Sequence, residues 1–185
     1  MLTMILVLFA TSAAFAAPAK SGVGLTIDGS ISVADETYEG SDAGFGFGFG
    51  VSYDLSDVVK LGDSKLLARA DVNILQGEQD LGFLGTLDSS RMPFFVGARY
   101  VLPINTQPLD LFAEAGLELS FDKYEVVYPF FAGLKNEVSD TNLGLAPGFG
   151  AVFPLGSNLS LGANARLHLI TNSYMSFSFS LGYSF

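Results

Sequence analysis

The chain has 185 residues, 49% of them hydrophobic, a formal charge of −10 and no cysteine. This length suits one domain with a sizeable interior. The acidic balance argues against nucleic-acid binding, which needs clustered Lys and Arg, and without cysteine neither a disulfide framework nor a thiolate metal site can form.

The first element is a leader. Met4 to Phe9 is apolar, small residues follow, and Ala14-Phe15-Ala16 forms an A-x-A-like cleavage site, the pattern of a secretory signal peptide. Residues 1–16 are read as the signal and 17–185 as the mature domain, although no Lys or Arg precedes the apolar run. After residue 19 no apolar run approaches the roughly 18 residues that a membrane helix requires.

Beyond the leader, apolar residues recur at every second position. That is the period of a strand whose two faces meet different surroundings. The first strand sets Val23, Leu25, Ile27, Ile31 and Val33 against Thr26, Asp28, Ser30 and Ser32. The second sets Phe45, Phe47, Phe49, Val51, Tyr53 and Leu55 against Gly44, Gly46, Gly48, Gly50, Ser52 and Asp54. The third sets Leu66, Ala68, Ala70, Val72 and Ile74 against Arg69, Asp71 and Asn73, and the fourth Phe94, Val96, Ala98, Tyr100 and Leu102 against Gly97 and Arg99. The fifth runs from Leu109 to Phe121 with Asp110, Glu114, Glu118 and Ser120 on its polar side. The sixth runs from Leu143 to Phe153 over glycines 144, 148 and 150, and the seventh from Leu159 to Leu169 with Ser160, Asn164, Arg166 and His168 on its polar side. The eighth alternates Met175, Phe177, Phe179, Leu181, Tyr183 and Phe185 with serines 176, 178, 180 and 184 and Gly182. Helical spacing would put apolar residues three and four apart, which these segments do not do.

The exceptions in the apolar register are Gly29 and Pro147, and none of its members is charged. The opposite register is mostly Gly, Ser and other polar residues, its apolar members being Leu67, Phe95, Val101, Phe112, Ala146 and Val152. A water-soluble barrel would turn its apolar register inward and cover the outside with charge. Here the polar register is too small and too sparsely charged for that, and suits a narrow interior instead. The reading is an all-β fold: an eight-stranded antiparallel up-and-down transmembrane β-barrel with a lipid-facing apolar exterior and a plugged polar lumen. Segments 56–64, 103–108 and 155–158 are the turns at one end, and 34–42, 75–92, 122–142 and 170–174 the longer loops at the other. Short periplasmic turns and longer outer loops then put both termini in the periplasm. Tyr53, Tyr100, Phe153, Tyr183 and Phe185 form an aromatic girdle near that edge.

Four constellations are candidates for function. The polar register carries Asp28, Arg69, Asp71, Arg99, Glu114, Glu118 and Arg166 into the lumen, where buried charges must pair and arginine suits bidentate partners. They read as a static plug, with an ion path as the functional alternative. Gly44-x-Gly-x-Gly-x-Gly50 lacks the helix a phosphate cradle needs, and reads as room for inward groups such as Arg69 or Phe112. His168 is expected opposite Ser176 across the 170–174 loop, with Glu118 as a possible orienting carboxylate. This reads as a hydrogen-bonded lumenal histidine, with lipid hydrolysis as the alternative. The outer loops hold Asp35, Glu36, Glu39 and Asp42 in one and Tyr128, Phe130 and Phe131 in another. The aromatics would contact a partner or pack against Leu81, Phe83, Leu84 and Leu87. No ligand spacing calls for a metal, and nothing calls for a cofactor.

Signal, strand number, alternation and terminal aromatic together resemble the small eight-stranded bacterial outer-membrane barrels that include opacity proteins and the OmpA-like transmembrane domain. The resemblance implies an integral outer-membrane protein in contact with outer-membrane lipids, structural or acting on a surface partner through its loops. It further implies that Phe177, Phe179, Tyr183 and Phe185 are read by the barrel-assembly machinery. A narrow pore is the alternative function, and a lipid hydrolase the less favoured one. Some small barrels are lipid A esterases that carry a His-x-Ser pattern, from which His168-Leu-Ile170 departs.

Overall fold

The computed structural model describes residues 25–35, 44–62, 64–104, 109–128 and 135–185. The expected leader lies outside them. The described strands are β1 (Leu25–Asp35), β2 (Gly44–Asp54), β3 (Lys65–Asp80), β4 (Thr86–Val101), β5 (Asp110–Val127), β6 (Lys135–Leu145), β7 (Gly148–Pro154), β8 (Leu159–His168) and β9 (Tyr174–Ser184). Each pairs antiparallel with its neighbours, and β1 bonds to both β2 and β9, so the sheet closes on itself. Closure is what a strand needs in lipid, where no water can satisfy an open edge.

β6 and β7 are one stave of the barrel. Leu117 of β5 faces Leu145 and Glu114 faces Gly148, with equal numbers of residues between, so the register runs through without a bulge. The interruption lies at Ala146-Pro147, because proline has no N–H for the ladder. Its carbonyl still accepts from Leu167 N at 2.9 Å, and Ala146 N donates to Gly116 O at 3.0 Å. The barrel therefore has the eight staves the alternation implies, the sixth of them broken once.

The two registers face as their chemistry demands. Phe149 and Phe179 are each 69% exposed on the outside, whereas Glu118 is 0% and Glu114 4% exposed within. Tyr53, Phe153 and Tyr183 are exposed at the end of the barrel where the chain finishes, Tyr183 meets Phe185 edge to face at 5.1 Å, and Tyr100 donates to Ser64 there at 2.8 Å.

Two expected loops are corrected. Segments 75–92 and 122–142 are largely strand: β3 and β4 meet at a short turn around Gly82–Leu84, and β5 and β6 continue to Val127 and Lys135. Gly82 and Gly85 bracket that turn with φ of +64° and +115°, values that favour glycine. On the outward face the apolar run stops at Ile74, Met92 and Phe121 and gives way to Gln76, Ser90 and Lys123. Above that line both faces meet water, so the apolar alternation vanishes from the sequence while the hydrogen-bonded ladder continues. Asp80 is six residues past Ile74 in the numbering, which at about 3.3 Å per residue carries the β3–β6 wall roughly 20 Å farther along the tilted strands than the apolar band.

Leu117→Arg, on the lipid face at mid-height, should lower unfolding stability in phospholipid vesicles by about 2–4 kcal/mol in urea titrations. Ser139→Arg, on the same face above the band, should leave the midpoint nearly unchanged. Equal effects would contradict the placement of hydrocarbon.

Candidate functional site

The inward register converges on Glu114. Arg99, from β4, donates to its Oε2 through Nε at 3.0 Å and Nη2 at 2.9 Å. Arg166, from β8, donates to Oε1 through Nε at 3.1 Å and Nη2 at 2.7 Å, and Asn164 adds a third donor to the same oxygen at 2.7 Å. Arg166 also holds Asp71 in a fork, with Nη1 to Oδ1 at 2.8 Å and Nη2 to Oδ2 at 2.9 Å. Asp71 in turn accepts from Arg69 Nε at 3.0 Å, and the other nitrogens of Arg69 grip Asp28 at 2.8 and 3.0 Å. Three carboxylates and three guanidinium groups thus form one neutral, buried network across β1, β3, β4, β5 and β8. Charges taken out of water are tolerated in this form, paired and with their remaining sites hydrogen-bonded.

Aromatic rings fill the gaps. Arg99 lies 3.7 Å above Phe112, and Arg166 lies 3.9 Å above Phe95. Phe95 and Phe112 are apolar members of an otherwise polar register, and this is what they do there. The stave between β5 and β8 makes room by being small on its inner side, with Gly144, Ala146, Gly148 and Gly150. A Cβ on Gly150 would lie 2.5 Å from the Phe112 ring. On β2, a Cβ on Gly50 would lie 2.7 Å from Arg69 Nη2, so the glycine run there makes space for lumenal groups.

A second cluster sits nearer the wall. Glu118 bonds His168 Nδ1 through Oε2, and His168 Nε2 lies 2.7 Å from Ser176 Oγ. The expected register is corrected: His168 pairs with Tyr174 and Ser176 with Arg166. The hydroxyl reaches the imidazole from the diagonal position, a reach that neighbouring strands allow. Tyr174 stacks flat on His168 at 4.0 Å, and Arg91 lies over the Tyr174 ring at 4.3 Å. Arg91 donates to Asp122 at 3.1 Å and to Tyr124 Oη at 2.8 Å, and Asn142 donates to Asp122 at 3.1 Å. Arg91, Asp122 and Asn142 escaped the sequence reading because they fall in segments taken as loops. Continuing the parity of Arg99 and Ser120 past the apolar band would have found Arg91 and Asp122.

Serine, histidine and glutamate in this order are the parts of an activated nucleophile. An acyl group would need space about 3 Å from Oγ. Ser176 is 7% exposed, and Ala34, Leu75, Ile170 and Tyr174 form a buried apolar cluster beside it at the loop end. A lumenal cavity of about 20 Å³ lies on the other side, bordered by Ser30, Asn73, Asn164, Arg166, Ser178 and Ser180. That volume suits one water, which Asn164 Oδ1, buried without a partner among the described residues, could bind. An open vestibule of about 290 Å³ at the opposite end is lined as deep as Arg99, Phe112 and Ser180 and does not touch Ser176. The cluster fills the lumen between β5, β8 and β9.

Of the loop candidates, Tyr128 is half-buried just past β5, while Phe130 and Phe131 lie outside the described residues. Phe177, Phe179 and Tyr183 face outward on β9. No group of residues suited to a metal ion is found among the described residues.

Glu114→Ala leaves Arg99 and Arg166 without their shared carboxylate. It should cost about 3–5 kcal/mol of unfolding stability in vesicles, the range for breaking a buried pair. A loss under about 1 kcal/mol, the scale of a solvent-exposed ion pair, would mean that the network does not brace the barrel.

No curated protein sequence matches the chain. Among solved structures it is similar to Ail, the attachment invasion locus protein of Yersinia pestis, at 17% identity and TM-score 0.57, over 88% of this chain and 97% of that one. Neisserial surface protein A is similar at 18% identity and TM-score 0.60, over 89% and 98%. The outer membrane enzyme PagL is similar at 15% identity and TM-score 0.52, over 86% and 99%. At these identities the likeness is one of fold. A family model for the outer membrane protein beta-barrel domain matches residues 2–185, nearly the whole chain. The closed antiparallel ring, the uncharged apolar band and the paired lumen thus belong to a member of the outer membrane protein beta-barrel family, placed in the bacterial outer membrane.

Proposed function

We propose that this protein is a closed, non-conducting barrel that presents its β3–β6 wall at the cell surface as a contact site for another macromolecule. The observation that carries this reading is the wall itself: four strands continue past the apolar band, and Phe83 at the tip of the β3–β4 turn is 79% exposed. A large apolar ring held in water on a rigid hairpin serves contact better than it serves folding. The wall then faces outward and both termini lie in the periplasm. Ail, similar in fold, is named for attachment and invasion, and a projecting wall suits a role of that kind.

A pore is disfavoured by the filled lumen. Hydrolysis of lipid esters by Ser176 and His168 has in its favour the 2.7 Å contact between them and the fold likeness to the enzyme PagL. The burial of Ser176 weighs against it.

The chain has no native cysteine, so single cysteines report topology directly. Phe83→Cys should react with a membrane-impermeant maleimide on intact cells, and Leu155→Cys, on the opposite turn, only after permeabilisation. The reverse pattern would put the wall in the periplasm. A photoreactive residue in place of Phe83 should give a discrete crosslinked adduct on intact cells, and failure to do so would remove the contact role. In planar bilayers the purified barrel should give no stable single-channel steps. Fluorophosphonate labelling of Ser176 would revive the hydrolase.

A further inference from the structure

Among the described residues β6 is bonded along its length on one side only. Its β5 side is paired continuously from Lys135 to Leu145, without a bulge and without a proline. On its other side the described residues supply a single bridge, in which Leu145 and Leu169 exchange both backbone bonds, at 2.8 and 3.3 Å. In an antiparallel ladder, alternate residues turn both backbone groups toward the same neighbour. Leu145 turns its pair toward β8. By the same alternation Leu143, Thr141, Ser139 and Glu137 turn theirs to that side, and above Leu169 no described strand lies there. The opposite edge of the wall is short by comparison, since β2 still pairs with β3 as far as Gln76.

Such an edge is a template for another strand, and proteins normally blunt it with proline, a bulge or charge. Charge is the one device present here. Glu137 stands on β6 opposite Glu125 of β5, with Lys123 bonded to Glu137 at 3.1 Å; Asp140 lies on the other face, and β6 begins with Lys135. The wall also carries Glu78, Asp80 and Asp88. Val138 is 52% exposed between Glu137 and Ser139, an apolar contact for a neighbouring strand. An acidic edge repels acidic strands and admits basic ones.

We propose that β6 accepts an extended segment of a partner protein, alternating basic and apolar residues, as a fifth strand of the wall, with Lys or Arg of the segment opposite Glu137 and an apolar residue opposite Val138. This rests on the wall facing the cell exterior, as argued above. Main-chain bonds to Ser139 and Thr141 would supply affinity, and the acidic side chains selectivity, the usual division in strand addition. A second copy in the same membrane is a poor occupant: its β6 would run in the same direction and set Glu137 beside Glu137.

The test uses the full barrel in phosphatidylcholine nanodiscs, with empty nanodiscs as the blank. The probes are a fluorescent peptide of alternating Lys and Val, its Glu-Val counterpart, and a Lys-Val peptide N-methylated at alternate residues. The Lys-Val peptide should bind saturably and the Glu-Val peptide should not. Ser139→Pro removes an N–H that points to the open edge and leaves the β5 ladder intact. It should weaken Lys-Val binding roughly tenfold, as losing one or two backbone bonds implies, and N-methylation should do the same to the wild-type barrel. Equal binding by Ser139→Pro and by the methylated peptide would mean simple attraction to an acidic surface, and strand addition would be wrong. No binding by the Lys-Val peptide would overturn it as well. A Phe83 crosslink that persists while peptide binding is absent would overturn this inference and leave the contact role standing. Loss of the crosslink alone would do the reverse.

Discussion

Hydrocarbon cannot hydrogen-bond a peptide group or solvate a charge, and the rest of this molecule follows from that constraint. Each strand crossing the apolar band needs a partner on both sides, so the sheet must close. Each outward side chain in the band must be uncharged, which sends the charges either into the lumen or beyond the band. The break at Pro147 is tolerated because the flanking residues keep their register with β5 and β8, and because the proline carbonyl still accepts from Leu167. Where water returns, above Ile74, Met92 and Phe121, the wall keeps its ladder but loses its greasy face, and β6 can leave an edge open.

Inside, the constraint reappears as a pairing problem. Arg69, Arg99 and Arg166 are neutralised by Asp28, Asp71 and Glu114, each guanidinium meeting a carboxylate from another strand. The hub is Glu114, whose two oxygens face arginines from β4 and β8. Its reach to β8 passes over the stave that separates them, so that stave must be small inside: Gly144, Ala146, Gly148 and Gly150 are as much part of the network as the charges. The same geometry lets Glu118 touch His168. A Ser–His–Glu chain assembled in this way links β5, β8 and β9 across the lumen.

Much of this was legible in the residues. The outward register could be read from Phe45 to Phe185 because lipid forbids charge along the whole face. The inward membership of Asp28, Arg69, Asp71, Arg99, Glu114, Glu118, Arg166 and His168 followed from parity alone. The contact between His168 and Ser176 was anticipated, though from a register that paired them directly, whereas the structure joins them diagonally. Arg91 and Asp122 were lost with the loops that turned out to be strands. In a two-sided aqueous hairpin nothing selects apolar residues on alternate positions, so the period that marks a strand in lipid is silent there.

What the sequence determined by itself was the solvent and the side of each residue: an uncharged face of period two admits lipid on one side and an enclosed polar interior on the other. What only the tertiary structure decided was which residues meet across the lumen, how far the wall projects, and which edge is left unbonded among the described residues. Those depend on how eight staves are staggered when the ring closes, and stagger is a property of strand pairing over the whole circumference, carried by no single segment.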